Sequence, residues 1–228
     1  MFDPKYKFIC AENFLNYVKY DTQSDEDSTS FPSSEKQKTL SKVLAEELKS
    51  IGLKDAQMDE WGYVMATLPS NTNKKVDPIA FIAHVDTSPA VSGKDVKPMI
   101  RKNYQGGDIK LENGGYVITV NDNPDLKNMI GFDIITTDGS TLLGADNKAG
   151  VSEIIDAVNY LITHPEIKHG DIKVCFTPDE EVGRGTEKIN LKKLGAKYAY
   201  TIDGSSRGEL ETETFSADAV VIKFFGKN

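Results

Sequence analysis

The sequence predicts an α/β fold in which a mixed, mainly parallel sheet is flanked by helices. Three short apolar runs, 79–83, 174–176 and 198–202, have the length of buried strands and alternate with segments of helical periodicity. This alternation is typical of parallel sheets, because two parallel strands need a crossover connection between them. Each run leads into acidic or histidine side chains. Since such sheets bind ligands at the carboxyl ends of their strands, we expect a site at that edge.

The N-terminal region is predicted to contain two helices. Asp3 can cap a first helix that has Pro4 in its first position. The spacing of Ser34 and Gln37 is that of a capping box for a second helix, which Gly52 can end. The apolar face of the second helix is formed by Leu40, Val43, Leu44 and Leu48.

The second half of the chain continues the alternation. A long helix is predicted after Asp146, because apolar residues recur there at intervals of three and four. They are Val151, Ile154, Ile155, Val158, Leu161 and Ile162. A strand over 172–176 follows. A short helix through Leu191 and Leu194, which Gly195 can end, then leads into the last of the three apolar runs.

Two further strands are predicted, and one region stays unassigned. The stretch 63–68 has the composition of a strand. Between Ser88 and Asp133, paired glycines and prolines separate short strands, to which no bounds are assigned. The final stretch, 217–225, is predicted to be a strand that leads into a turn.

The composition argues against several classes of partner. The formal net charge is -8 and no Lys/Arg-rich cluster occurs, so neither a nucleic-acid nor a membrane partner is expected. No apolar run approaches the roughly 18 residues of a membrane span, and residues 1–7 lack the pattern of a signal peptide. Only Cys10 and Cys175 are present, and both are interpreted as packing thiols. These features predict a soluble, cytoplasmic protein.

Acidic and histidine side chains at the ends of separate strands and loops are candidates for a metal site. They are His84, Asp86, Asp146, Glu180, Glu181 and Asp203. His84 and Asp86 are two positions apart, so on a strand they point to the same side and the carboxylate can orient the imidazole or join it on a metal.

Taken singly, these acids have plainer explanations. Asp146 precedes a helix and can be an ordinary N-cap. Glu180 and Glu181 are flanked by proline and glycine, as in a solvated turn, and Asp203 before Gly204 can be a turn residue. What favours a site is their convergence, since four separate chain segments deliver these groups to one edge of the predicted sheet.

Four segments resemble the motifs of the co-catalytic zinc exopeptidase family. They are 84–89, 143–150, 176–183 and 201–204, and weaker similarity extends over nearly the whole chain. The resemblance implies a zinc-exopeptidase-like sheet and two zinc ions. By resemblance His84 and Asp203 hold one zinc, Asp146 bridges both, and Glu181 holds the second. Asn147 departs from the pattern, because many members of the family have a second acid at this position.

The activity implied by the resemblance is removal of the N-terminal residue from tripeptides by a water molecule that bridges the two zinc ions. By the same resemblance Asp86 steadies His84, and Glu180 is the general base for that water. Related proteins act as dipeptidases, carboxypeptidases or aminoacylases, and a non-catalytic metal-binding fragment is a further alternative. Since these ligands also accept manganese or cobalt, the metal bound in the cell is left open.

The resemblance also predicts how the chain is divided. Because members of the family are nearly twice as long, residues 1–210 are expected to form the N-terminal part of a di-zinc catalytic domain, and 211–228 the first strand of a small α+β lid domain. The second zinc position would then have only Asp146 and Glu181, so weak occupancy and low activity of this chain alone are expected. In the family, dimers usually form through the lid, so the resemblance is compatible with a homodimer but leaves the oligomeric state of this chain open.

Overall fold

Nine strands and four α-helices form the fold in the computed structural model, which describes residues 3–204, 208–213, 216, 220 and 222–226. The strands are β1 (Gln57–Met58), β2 (Val64–Leu68), β3 (Ile79–His84), β4 (Met99–Arg101), β5 (Ile109–Lys110), β6 (Val117–Ile118), β7 (Ile134–Thr136), β8 (Ile172–Thr177) and β9 (Tyr198–Thr201). The α-helices are α1 (Cys10–Tyr17), α2 (Gln37–Ser50), α3 (Ala145–Thr163) and α4 (Leu191–Leu194), and a 3₁₀ helix spans Pro124–Met129.

Five of the strands form a central mixed sheet in the order β1-β2-β8-β3-β9. β3 pairs in parallel with both β8 and β9, whereas β2 is antiparallel to β1 and β8. Only β2 therefore runs against the other four strands, and the predicted mixed sheet is confirmed. His84 is level with Thr177 of β8, and Ile82 is level with Thr201 of β9. The carboxyl ends of β3, β8 and β9 consequently lie at one edge.

Apolar residues cover both faces of this sheet. The larger core lies between one face and helices α1, α2 and α3, and it includes Tyr17, Leu40, Leu44, Leu48, Val64, Val151, Ile155, Val174 and Phe176. The smaller core on the other face contains Tyr63, Met65, Ala80, Cys175 and Leu194. Neighbouring residues along β2 and β8 alternate between the two cores, as the two-residue period of a strand requires. Burial of Cys175 confirms that it is a packing thiol, and both cysteines are free.

The predicted start of the first helix is wrong. α1 begins at Cys10, six positions after Pro4. The backbone N–H groups of Ile9 and Cys10 donate to one carboxylate oxygen of Asp156 in α3, at 2.9 and 3.0 Å. Since the first N–H groups of a helix lack partners within it, this distant carboxylate determines where α1 begins. Asp3 instead lies against α3, where its N–H donates to the hydroxyl of Tyr160.

The predicted capping box of the second helix is also absent. α2 begins at Gln37, and its N-terminus has no side-chain cap. The buried Gln37 side chain donates to Asp179 at 2.6 Å and so points away from Ser34. At the other end, Gly52 has a φ of 119°, which confirms the predicted glycine stop.

The region between β3 and α3, where short strands were expected without bounds, contains two small antiparallel sheets. One pairs β4 with β7, and the other pairs β5 with β6. Arg101 connects them by donating to Glu112 at 3.0 Å. Each strand has only two or three residues, so long-range pairing rather than local pattern creates these strands.

The C-terminal segment leaves part of the sequence prediction untested. Of the strand predicted over 217–225, residues 217–219 and 221 lie outside the described part of the chain, and the described residues 220 and 222–225 have no strand pairing. The division at residue 210 stays a prediction. In the described part of the chain, no helix is both long and apolar enough to cross a membrane.

Replacing Leu44 by alanine should lower the free energy of unfolding by about 2–5 kcal/mol, because a fully buried leucine leaves a cavity when it is truncated. Urea unfolding followed by circular dichroism measures the change. The matched control is Leu191→Ala, since this leucine is 69% exposed and its loss should cost less than about 0.5 kcal/mol. Equal losses in the two variants would contradict the assignment of Leu44 to the core.

Candidate metal centre

All six side chains predicted to form a site lie at the carboxyl edge of the sheet. His84 is the last residue of β3, and Asp203 follows the end of β9 by two positions. Two sets of ligand atoms each lie within 4.8 Å of one another. The sets are His84 with Asp146 and Glu181, and His84 with Glu180 and Asp203. The imidazole belongs to both sets, so it is the centre of the cluster.

The Nε2 atom of His84 faces three carboxylates. It lies 2.9 Å from Oδ1 of Asp146, 3.6 Å from Oδ2 of Asp203 and 3.7 Å from Oε2 of Glu180. The Nδ1 atom on the opposite side of the ring is 3.0 Å from the backbone carbonyl of Asp86. Because a carbonyl only accepts, Nδ1 carries a proton and donates it. In the neutral imidazole, Nε2 is therefore the atom with a free lone pair, directed at the carboxylates.

Asp86 holds the histidine and the loop after β8 together. Its carboxylate is fully buried and accepts from the backbone N–H of Glu180 at 3.0 Å and of Glu181 at 3.1 Å. It also lies 3.4 Å from Nδ1 of His84. A buried carboxylate is stable only when such donors surround it. Asp86 thus positions three neighbouring side chains from behind the cluster.

Several negative charges lie close together in the cluster and raise the pKa values of its members. Burial alone lowers the pKa of the His84 imidazole, but the hydrogen bond to Asp86 and the charges of Asp86, Asp203 and Glu180 outweigh it and raise this pKa to about 9. Burial raises the pKa of Glu181, and so does the neighbouring Asp146. The pKa of Asp203 is raised first by burial and then by Asp146 and Glu180, against the opposing charge of His84.

This donor set fits a divalent cation. An imidazole nitrogen and several carboxylate oxygens are ligands that zinc, manganese and cobalt accept. The carboxylates repel one another, and a cation placed among them removes that repulsion. The histidine already has its second nitrogen held by a backbone carbonyl, as in many metal-binding histidines.

The start of α3 is bent so that Asp146 reaches the cluster. Asp146 and Asn147 have non-helical backbone angles, and the peptide bond between them is cis. One turn later Gly150 touches the loop that carries Asp203. A Cβ at Gly150 would lie 2.0 Å from the carbonyl oxygen of Ile202 and 2.4 Å from Oδ1 of Asn147. Only a residue without a side chain allows the loop to approach α3 this closely.

Two buried residues of the site were missed in the sequence. Asp179 is not among the residues predicted to form the site, yet it is fully buried and accepts from the N–H and the hydroxyl of Ser33 at 2.6 and 2.5 Å. These bonds fix the start of the loop that carries Glu180. No local pattern indicates this burial, because acidic residues between a proline and glycines are typical of a solvated turn.

Lys148 is the second missed residue. Its side chain is 1% exposed, and its ammonium donates to the backbone carbonyl of Tyr20 at 2.8 Å. Burial lowers the pKa of Lys148 to about 8, and the charges of Asp21 and Asp86 act in the opposite direction. The residue lies inside the motif 143–150, but a lysine in sequence gives no sign of burial.

Two solved structures with a similar fold are an aminopeptidase and a metallo-carboxypeptidase. The crystal structure of aminopeptidase PepT from Bacillus cereus has a TM-score of 0.60 and 25% identity, and the alignment covers 86% of this chain and 43% of that one. An M20 family metallo-carboxypeptidase from Sulfolobus solfataricus has a TM-score of 0.52 and 15% identity over 86% of this chain and 37% of its own, and this likeness concerns the fold alone.

Curated relatives include peptidase T proteins. Peptidase T of Caldanaerobacter subterraneus is 55% identical over 219 residues, which are 96% of this chain and 54% of that protein. Nearly the whole chain is therefore similar to about half of this peptidase T. The chain spans about half the length of the curated relatives it matches. No protein-family model matches the chain.

Replacing Gly150 by alanine should lower the free energy of unfolding by about 1–3 kcal/mol, because the new methyl group overlaps the Ile202 carbonyl. Helix propensity alone predicts the opposite, a gain of about 1 kcal/mol. The sign of the change in the free energy of unfolding, measured in urea, therefore distinguishes the steric overlap from the effect of helix propensity. The control is Gly204→Ala in the contacting loop, where a Cβ meets nothing within 4 Å. Stabilisation by Gly150→Ala would show that the contact is not tight.

Without metal, the protein should lose stability as the pH rises from 6.5 to 8. The pKa of His84 is about 9 in the folded state and 6.5 in its reference state, so its contribution is complete below pH 6.5 and declines above it. Over this interval the loss is about 2 kcal/mol. Above pH 8 the buried Lys148, whose pKa is lowered to about 8, loses its proton more readily in the folded state than in the unfolded state. This effect raises the free energy of unfolding with pH, so the plot of that free energy against pH should flatten.

The measurement is urea unfolding in the presence of a chelator at a series of pH values. The His84→Gln variant is the control, since it has no imidazole to titrate and its curve should lack the decline. The same slope in both proteins would show that another group causes it.

Proposed function

We propose that the protein is a metal-dependent aminopeptidase that removes the N-terminal residue from short peptides, with tripeptides as the substrate. The main supporting observation is that one buried imidazole and the carboxylates of three other chain segments meet at the carboxyl edge of the sheet. Similarity to peptidase T and to aminopeptidase PepT supports removal of an N-terminal residue from peptides, and the choice of tripeptides comes from the motif resemblance. Because the chain spans about half of those relatives, its own activity is part of the proposal.

The metal is proposed to be zinc, in two positions. His84 and Asp203 hold the first ion, Glu181 holds the second, and Asp146 is shared. The short distance from Asp146 to His84, and the presence of Asp146 and Glu181 in one set of close ligand atoms, support this division. Bound zinc lowers the pKa of a water molecule and polarises a carbonyl, which is the chemistry that peptide hydrolysis needs.

Asp86 is proposed to set the orientation of the histidine. It keeps the Nδ1 proton of His84 on its own backbone carbonyl, so Nε2 stays free to bind. The same residue holds the backbone of Glu180 and Glu181, and therefore keeps the loop at a constant distance from the imidazole. Loss of the Asp86 carboxylate would therefore disturb two proposed metal ligands, His84 and Glu181, at once.

Glu180 is proposed to be the general base. Its side chain is about half exposed, and its Oε2 lies 3.7 Å from Nε2 of His84. It is therefore beside the cluster and open to substrate. A carboxylate in this position can accept a proton from the attacking water and then deliver it to the amine that leaves. Glu181 is less exposed than Glu180. This difference supports Glu181 as the metal ligand and Glu180 as the residue that transfers the proton.

A cytoplasmic location and a homodimer remain predictions from the sequence. The choice among zinc, manganese and cobalt belongs to the same experiment as the activity, because each metal can be added to the metal-free protein and its turnover compared.

Replacing Glu180 by glutamine should reduce tripeptide hydrolysis by at least about a hundredfold, because the amide cannot accept the proton. Zinc binding should change little, since Glu180 is not assigned as a ligand. Release of the N-terminal residue is followed by liquid chromatography, and zinc binding by calorimetry on the same samples.

The control is Glu187→Gln, which removes a carboxylate from the same loop that is paired with Arg184 and not with the cluster. An N-acetylated tripeptide should not be cleaved. Retained turnover in the Glu180 variant would refute the role of this residue. Release of the C-terminal residue, or preference for dipeptides, would refute the substrate class. Zinc binding by the wild-type protein without any turnover would refute the activity and leave a metal-binding protein.

A further inference from the structure

We infer that Asp179 is a positioning residue, which ties the turn that carries Glu180 to the start of α2 and so sets where the Glu180 side chain stands beside the cluster. Its partners in this task are Gln37 and Ser33. The inference rests on the proposed role of Glu180 in proton transfer. It assigns to Asp179 neither contact with substrate nor a place among the metal ligands.

The Asp179 carboxylate is surrounded by hydrogen-bond donors from the start of α2 and from the segment before it. Asp179 and Gln37 are both fully buried. Oδ2 of Asp179 accepts from the backbone N–H of Ser33 at 2.6 Å, and Oδ1 accepts from Nε2 of Gln37 at 2.6 Å and from the Ser33 hydroxyl at 2.5 Å. Since rotation of this carboxylate would leave buried donors without a partner, the side chain is held in one orientation.

The backbone of Asp179 is held as closely as its side chain. Its N–H donates to Oε1 of Gln37 at 3.1 Å, so a single amide group binds both the main chain and the carboxylate of Asp179. Its carbonyl accepts from the N–H of Arg184 at 2.9 Å. The φ of Asp179 is 56°, a left-handed conformation that is uncommon outside glycine. Such a conformation persists only where the surroundings determine it, and it is concentrated at functional sites.

The turn 179–184 is held at both ends by one segment of the chain, 28–37. Its first residue has the contacts to α2 described above. At its last residue, Nη1 of Arg184 donates to the carbonyls of Ser28 and Ser30, at 3.3 and 2.9 Å. This segment supplies none of the proposed metal ligands, and α2 is itself packed in the larger core. The turn therefore takes its position from an element outside the metal site.

Two buried carboxylates thus determine where Glu180 stands. Asp86 binds the N–H groups of Glu180 and Glu181, which ties the turn to the loop after β3, and Asp179 ties the preceding residue to α2. The Glu180 side chain is about half exposed, and its Oε2 lies 3.7 Å from Nε2 of His84. Because an exposed side chain is held little by packing, its direction depends on the backbone that carries it.

The first test is Asp179→Asn in the metal-free chain, with amide hydrogen exchange followed by NMR. Asparagine keeps the size and tolerates a left-handed backbone, but it has only one oxygen, so either Ser33 or Gln37 loses its acceptor. We expect the N–H groups of Glu180 and Glu181 to exchange at least about tenfold faster, while those of β8 keep their rates. Unchanged rates at Glu180 and Glu181 would overturn the inference. Equal acceleration in β8 would reveal a general loss of stability and overturn it as well.

The matched rescue exchanges the two partners, by combining Asp179→Asn with Gln37→Glu. The asparagine NH₂ then donates to the new carboxylate, which also accepts the N–H of residue 179. Gln37→Glu alone brings two carboxylates together and should accelerate the same exchange. The double variant should return to within about threefold of the wild-type rates. A double variant no better than the worse single variant would show that this pair does not position the turn.

The control is Asp171→Asn, directly before β8, where an exposed carboxylate accepts the N–H of Ser70 at 2.7 Å. It should leave the exchange of Glu180 unchanged. If Asp179→Asn does not fold, Ser33→Ala takes its place, because it removes one donor and keeps the buried carboxylate. This smaller change should accelerate the exchange of Glu180 by about threefold, and no acceleration would contradict the inference.

Turnover separates the inference from the proposed function. In Asp179→Asn, kcat for the tripeptide should fall by about tenfold or more, because a displaced base transfers the proton poorly. KM, and the affinity for the zinc ion held by His84 and Asp203, should stay within about twofold. An unchanged kcat would refute the link to Glu180. If the wild-type chain has no turnover, the proposed function fails, and the exchange rates still decide whether Asp179 sets the position of the turn.

Discussion

The buried carboxylate of Asp86 is the interaction on which the geometry of the site depends. It binds the backbone of the loop after β8, while its own carbonyl holds the imidazole at the end of β3. The parallel pairing of β3 and β8 brings these two chain ends to the same level, but register alone does not fix side chains. The contacts of Asp86 therefore fix the distances between the imidazole of His84 and the loop after β8.

The second constraint is the repulsion among the carboxylates, which opposes the close packing that Asp86 imposes. Carboxylates close enough to share a cation also repel one another, which is why the pKa values of Glu181 and Asp203 are raised. The metal-free protein meets this repulsion with the imidazole of His84, whose pKa the neighbouring carboxylates raise. Folding of the site and binding of a cation are therefore parts of one electrostatic balance.

Local signals explain what could be predicted from the sequence. β3, β8 and β9 are continuous apolar runs, α3 has a clear helical period, and each predicted ligand adjoins one of these elements. The failures share a cause, because each depends on a partner far along the chain. α1 begins where Asp156 accepts its N–H groups, and Gln37 turns toward Asp179. Burial of Lys148 likewise follows from the packing of distant segments, which no local pattern reveals.

The strand that precedes Asp203, β9, lies at an edge of the central sheet. Among the described strands it pairs only with β3, so it forms one edge of the sheet, and its four residues are exposed. A free edge is a template for pairing with another chain. Since Asp203 follows this strand by two residues, a foreign strand added there would stiffen the very segment that supplies a ligand. Protein concentration and metal content would then be coupled variables, and a dilute sample and a concentrated one would differ in how readily they take up a cation.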